Sequence, residues 1–194
     1  MMSPDDLPAA LPSRQAACEL LHLTEYKRVV KFVMLDGAQL SDAEDIAQNA
    51  FLELWHVMTD QPEKWADIYS PRAWVRGVAL RMHRRSLASR ARRHQLVPLD
   101  DAQQAERAQG DLSGLTALVV SLRAALAQLD EELRNVMLFT LDGFTAAEIA
   151  RHLTVPQRTV TERNVLDLRK KARKALSVLL AEATTHTPEP TWTR

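Results

Sequence analysis

Two stretches of this 194-residue chain hold basic side chains at a density suited to gripping a polyanion. Residues 71–94 carry eight arginines and no acid, and residues 151–174 carry eight basic groups against two acidic ones. In the first block, Pro71-Arg72-Ala73-Trp74-Val75-Arg76 leads on to Arg81, Arg84 and Arg85, with Trp65 and Tyr69 just upstream. Arginines interleaved with aromatics suit a surface that tracks a phosphate backbone and stacks on unpaired bases. Trp74 also shares a helical stripe with Val78, which favours core packing and leaves the arginines as the better polyanion contacts.

The second block follows a different pattern. Thr145 to about Lys174 has the layout of a helix-turn-helix: a short helix, a turn, and a longer basic helix to enter a major groove. Ala150 is small where the helices approach, and Val160 is apolar where the second packs back. Thr154 stands where such turns often have glycine. With Pro156 opening the second helix, base reading falls to its first exposed side chains: Gln157, Arg158, Thr159, Thr161, Glu162 and Arg163. Arginine can clasp guanine, glutamine can pair with adenine, and glutamate can accept from cytosine. Glu162 is equally well placed to close a capping box with Thr159. The downstream cations Arg169, Lys170, Lys171, Arg173 and Lys174 suit phosphates.

The elements that must position these groups read as helices throughout. Ser41-Asp42-Ala43-Glu44 has capping-box spacing, and Ala43, Ile46, Ala47, Ala50, Phe51, Leu54, Trp55 and Met58 then recur at three- and four-residue steps up to Pro62. Residues 13–36 predict one or two helices stopped near Gly37, despite a strand-like run at 29–35. A third helix starts around Ser70-Pro71. Beyond a stretch at 95–115 with Pro98, two glycines and four acids, Leu115–Leu129 predicts a helix, and Asp130 can cap the next, which stops at Gly143. Thr145 to Glu148 is a second capping box, with Phe144 and Ile149 at staple spacing. The expected fold is all-α: two small helical domains joined by a flexible acidic linker, the C-terminal one a helix-turn-helix. Its parts are an N-terminal extension (1–15), a first domain (16–94), the linker (95–115), a second domain (116–182) and a disordered tail (183–194).

Composition narrows the function classes. Five glycines and 5% aromatics are few for a sandwich or barrel. The one cysteine, Cys18, permits no internal disulfide and fits a reducing, cytoplasmic setting, as does an acidic start without an apolar h-region. The six histidines are scattered, and neither a phosphate loop nor metal-ligand spacing occurs. The expectation is a non-enzyme with no cofactor, no metal and no membrane span.

Three motifs now converge on one family. Asp42-Ala43-Glu44-Asp45-Ile46-Ala47-Gln48-Asn49-Ala50-Phe51-Leu52-Glu53-Leu54-Trp55 is similar to the polymerase-binding helix of bacterial sigma factors, in particular the extracytoplasmic-function (ECF) group of the sigma-70 family. Pro71-Arg72-Ala73-Trp74-Val75 and its arginines resemble the −10-binding region. Leu129–Leu138 followed by Phe144–Pro156 resembles the −35-binding domain, and the likeness runs in order over about residues 16–180.

The resemblance implies a factor that binds core RNA polymerase through Asp45, Gln48, Asn49, Phe51 and Trp55, although Phe51 and Trp55 fit simple core packing as well. It further implies −10 DNA contacts from Arg72, Trp74, Arg76, Arg81, Arg84 and Arg85, and −35 contacts from the second helix. Promoter DNA and core polymerase are the implied partners, and an anti-sigma factor is a third that the family allows. Asn49, Arg81, Arg85, Thr161 and Glu162 depart from the residues common at these positions, which bears on promoter sequence. A dimeric helix-turn-helix regulator and a helical protein-interaction adaptor are the competing readings.

Overall fold

A computed structural model of the chain describes residues 11–96, 114–155 and 157–185. Among these residues all regular structure is helical, apart from one isolated bridge between Val155 and Arg158. The acidic segment 95–115 and both chain ends fall wholly or largely outside the described residues. Two compact units are present: Met1–Met34 with Ala38–His83, and Leu35–Gly37 with Arg84–Arg194.

The first unit contains α1 (Leu11–Leu35), α2 (Leu40–Asp60), α3 (Pro62–Ala66) and the first half of α4 (Pro71–Leu96). The strand-like run is helical, with Val29, Phe32 and Val33 fully buried at three- and four-residue spacing. Gly37, at φ +112°, ends α1 in a left-handed conformation, and the Ala38 N–H bonds back to the Val33 carbonyl at 3.2 Å. The Ser41 capping box does not form. Helical bonding already begins at the Gln39 carbonyl, which accepts from Ala43 N–H at 2.9 Å, so Ser41 lies inside the first turn and Gln39 holds the cap position without a side-chain bond. Pro62 stops α2 but also opens the five-residue α3, an element the sequence reading lacked. At the start of α4 the Ser70 hydroxyl accepts from Ala73 N–H at 3.3 Å. Ala43, Ala47, Ala50, Leu54 and Val57 of α2 join Phe32 and Val33 of α1 and Val75 and Ala79 of α4 in the buried core.

In the second unit α5 (Gly114–Ala127), α6 (Glu131–Leu141) and α7 (Ala146–Leu153) all pack against α8 (Glu162–Thr185). Leu126, Val136, Leu138, Phe139, Ile149, Val165 and Ala172 form its core, and the Phe139 and Phe144 rings meet edge-on at 5.3 Å. Gly143, at φ +91°, terminates α6, with Phe144 N–H bonded to Phe139 carbonyl at 3.0 Å. The capping box at Thr145 is present in both directions: Glu148 N–H donates to the Thr145 hydroxyl at 3.2 Å and Thr145 N–H donates to Glu148 Oε2 at 2.8 Å.

The turn between α7 and α8 differs from the sequence expectation. The second helix begins at Glu162, six residues past Pro156. Residues Val155 and Arg158 instead exchange both backbone bonds, at 3.0 and 2.9 Å. Thr161 then caps α8: its hydroxyl accepts from Asn164 N–H at 3.2 Å, and Asn164 Oδ1 accepts from Thr161 N–H at 2.9 Å. The expected box between Thr159 and Glu162 is therefore replaced by one between Thr161 and Asn164. Thr154 stitches this longer turn. Its hydroxyl accepts from Val160 N–H at 3.0 Å and donates to the Ala150 carbonyl at 2.8 Å.

Replacing Thr154 by alanine is expected to strip the Val160 N–H of its acceptor and cost about 1–3 kcal/mol, whereas serine keeps most of the stability. Faster hydrogen exchange at the Val160 amide in the alanine variant, with near-native exchange in the serine variant, checks this.

Candidate nucleic-acid interface

The six candidate groups on α4 do not share one environment. Arg72 is partly exposed, with Nε 3.1 Å from Glu25 Oε1. Arg76 is fully buried: Nη2 donates to Glu25 Oε2 at 2.7 Å, Nη1 donates to the Arg72 carbonyl at 3.0 Å, and the guanidinium lies 5.9 Å from the Phe32 ring centre. This corrects the sequence reading of Arg76 as a DNA contact. Its charge is neutralised by a carboxylate on α1 and it has no surface to offer a phosphate. Trp74 is half-buried, and Arg81 and Arg85 are exposed. Arg84 groups with the second unit, donating to Glu131 at 2.5 Å and to Asn135 at 2.6 Å, with Asp36 3.6 Å away. A phosphate at Arg84 must displace those partners.

Glu25 was not singled out in the sequence, yet three arginines converge on it, Arg28 being the third at 4.0 Å. Nothing local signals the pairing, because Arg76 lies 51 residues away.

On α2, Asp45, Gln48 and Asn49 point outward, Phe51 is buried and Trp55 is half-buried. The Asn49 amide donates to the Asp45 carbonyl at 2.8 Å. Gln48, Phe51 and Trp55 line one apolar groove of about 570 Å³ together with Leu52 and with Cys18, Glu19, His22 and Leu23 of α1. The α1 half of this groove is what sequence reasoning missed. Its available signal was Leu23, a large apolar residue left on the exposed side of α1. His22 packs edge-on to Phe51 at 4.9 Å. Burial, reinforced by the neighbouring Glu19 carboxylate, pushes the Cys18 thiol above its ordinary pKa.

In the helix-turn-helix, Gln157, Arg158 and Thr159 occupy the turn and not the second helix, all three exposed. Arg158 forms an ion pair with Glu132 of α6. Thr161 spends its hydroxyl on the cap. Glu162 and Arg163 are exposed in the first turn, with Arg163 Nε 3.6 Å from Asp167. Leu166, Asp167, Lys170 and Lys174 continue that outward face. Arg169 turns inward: Nε donates to the Thr140 hydroxyl at 2.8 Å and Nη2 to the Phe144 carbonyl at 2.6 Å. Its burial, and then the nearby Arg173, lower its pKa against the opposing pull of Glu162. Arg169 ties α8 to the end of α6, which corrects its assignment to phosphate binding.

A capped short helix, a stitched turn and an outward basic face on the following helix make up a helix-turn-helix arrangement. Residues 120–163 match the family model described as sigma-70, region 4. This stretch is similar to sigma-70 region 4. That match begins within α5, spans α6, α7 and the turn, and ends in the first turn of α8. Among solved structures the chain resembles CnrH, determined in complex with the cytosolic domain of CnrY, with a TM-score of 0.57 and 21% identity over 87% of this chain and 90% of that one. The likeness is one of fold. No curated protein sequence matches the chain. Among the described residues no group of histidine, cysteine, aspartate and glutamate is arranged to hold a metal ion, and no helix is long and apolar enough to cross a membrane.

Two outcomes follow from these environments. Glu25→Ala leaves the Arg76 charge buried and unpaired, so thermal unfolding should report a loss of about 3–5 kcal/mol, much of it regained on adding Arg76→Met. Because the Cys18 thiol titrates above its ordinary value, iodoacetamide at pH 8 should label it several-fold more slowly than a free cysteine, with the rate restored in urea.

Proposed function

We propose that the chain is a sigma factor of the ECF type, which binds core RNA polymerase and directs promoter recognition and transcription initiation. The single observation that carries the reading is the region 4 match, on a helix-turn-helix whose second helix presents a basic outward face. In this reading residues 16–94 act as the polymerase and −10 domain, 95–115 as a linker and 116–182 as the −35 domain, in the cytoplasm. Asp45, Gln48 and the groove with Phe51 and Trp55 receive the polymerase. Arg72, Arg81 and Arg85, with Trp74, face the −10 element, and Arg84 joins them once its present partners are displaced. Glu162 and Arg163 read −35 bases from the first turn of α8, supported by Gln157, Arg158 and Thr159 in the turn and by the Thr161 cap. The likeness to CnrH, solved with a protein partner, supports an anti-sigma protein as regulator.

The chemistry needs no catalytic group. A surface that holds unpaired bases more tightly than the duplex draws the equilibrium toward melted DNA by their difference in affinity. Phosphate contacts make that affinity fall steeply with salt.

Run-off transcription with core enzyme over genomic fragments tests the proposal, and promoter-dependent product is the expected result. Absence of product from every fragment, or a two-fold symmetric footprint without polymerase, overturns it in favour of a dimeric regulator. Asp45→Ala and Gln48→Ala should each reduce co-purification with core polymerase several-fold, and unchanged retention in both removes the interface assignment.

A further inference from the structure

The first unit carries a basic surface that none of the motifs above contains. On α1, Thr24, Lys27, Arg28 and Lys31 fall on one face at three- and four-residue spacing, and all four are exposed. The Thr24 hydroxyl bonds its own helix, to the Leu20 carbonyl at 2.8 Å, so it brings no charge. The one acid within residues 24–31 is Glu25, and it is turned inward toward Arg76. Arg28 and Arg72 meet at that same carboxylate, 4.0 and 3.1 Å from Oε1, with side chains 57% and 41% exposed. The α1 face is thereby continuous with the exposed part of Arg72 on α4.

Arg28, Arg72 and Arg76 thus share one carboxylate, and Lys27 and Lys31 lie near it on the same helix. The shortest contact goes to Arg76, so one negative charge is divided among three guanidiniums while Lys27 and Lys31 add two further exposed positive charges. Lys27 and Lys31, four residues apart on one helix, repel each other. Such a grouping opposes folding and favours an external polyanion.

We propose that Lys27, Arg28 and Lys31 form a phosphate-binding strip that extends the Arg72 surface across α1, and that its ligand is the sugar-phosphate backbone of promoter DNA. The strip reads no bases, since mobile ammonium groups follow phosphates without sequence information. Glu25 is its positioning residue, holding Arg28 and Arg72 at one edge. This inference rests on the sigma-factor reading and adds a contact that the α4 arginines do not supply.

The test uses holoenzyme assembled from core RNA polymerase with either the wild-type chain or the triple variant Lys27→Gln, Arg28→Gln, Lys31→Gln. Fluorescence anisotropy with a labelled promoter duplex is followed across a salt series. The triple variant should bind at least tenfold more weakly at low salt, and its log–log salt dependence should be shallower by roughly two, as loss of two to three phosphate contacts requires. Retention on core polymerase and the far-ultraviolet helix signal should stay at wild-type levels. A charge-keeping variant, Lys27→Arg with Arg28→Lys and Lys31→Arg, should restore the wild-type slope. An unchanged slope in the Gln variant overturns the proposal, and so does a charge-keeping variant that fails to restore it. Loss of polymerase retention at unchanged DNA slope also overturns it and assigns the strip to the polymerase. If wild-type holoenzyme itself shows no promoter binding, the failure lies with the sigma-factor reading and takes this proposal with it.

Discussion

Glu25 and Arg76 form an ion pair almost wholly removed from water, and the arrangement of the first unit follows from the cost of leaving either charge alone there. Desolvating two full charges is repaid only by short, well-directed bonds. The 2.7 Å contact, the Arg72 carbonyl at 3.0 Å and the Phe32 ring near the guanidinium supply them. Because Glu25 belongs to α1 and Arg76 to α4, the pair fixes the rotation of one helix against the other. That rotation sends Arg81 and Arg85 to solvent and leaves Arg72 at the edge, half tied to the same carboxylate. A hydrophobic pair of similar volume could hold the helices as tightly. It would not aim Arg72 and Arg28.

The second unit solves its positioning problem with neutral hydrogen bonds. A turn of eight residues separates α7 from α8, too long for helix continuity to set the angle between them. Thr154 reaches across it to Val160, the Val155–Arg158 bridge closes its middle, and Thr161 with Asn164 fixes where α8 begins. Each bond is modest alone, about 1 kcal/mol net. Together they define which side chains stand at the first turn of α8, and Arg169, bonded to Thr140 and to the Phe144 carbonyl, then sets how α8 lies on α6.

Local patterns in the sequence were readable wherever the physics is local. The three- and four-residue stripe of α2, the left-handed glycines at 37 and 143, and the reciprocal box of Thr145 and Glu148 all depend on neighbours within one turn. Two errors arose where equivalent local signals compete. Ser41 to Glu44 has capping-box spacing, but the helix starts earlier at Leu40 and swallows it. Pro156 is a good first-turn residue, yet Thr161-x-x-Asn164 is a working cap five residues on, and a hydrophobic Val160 that must stay buried favours the later start. The remaining misses are long-range. No window of sequence relates Glu25 to Arg76, Cys18 and His22 to Phe51 and Trp55, or Arg158 to Glu132. Arg76 was misread for that reason, since its own neighbourhood consists only of further arginines.

The same distinction explains how a chain with zero formal charge can still present basic surfaces. Charge counted along the sequence ignores screening, which limits interactions between exposed groups to about 8 Å at physiological ionic strength. An acidic block tens of residues away neutralises a guanidinium only if it is brought within that range. Arg76 meets that condition with Glu25, Arg158 with Glu132, and Arg84 with Glu131, so these cations contribute less field than their number suggests. Lys27, Lys31, Lys170 and Lys174 are exposed and enter no ion pair described above, so they weigh more. The electrostatic footprint of this protein is therefore set by which carboxylates the fold brings into contact, and the density of arginine in the sequence is only its upper bound.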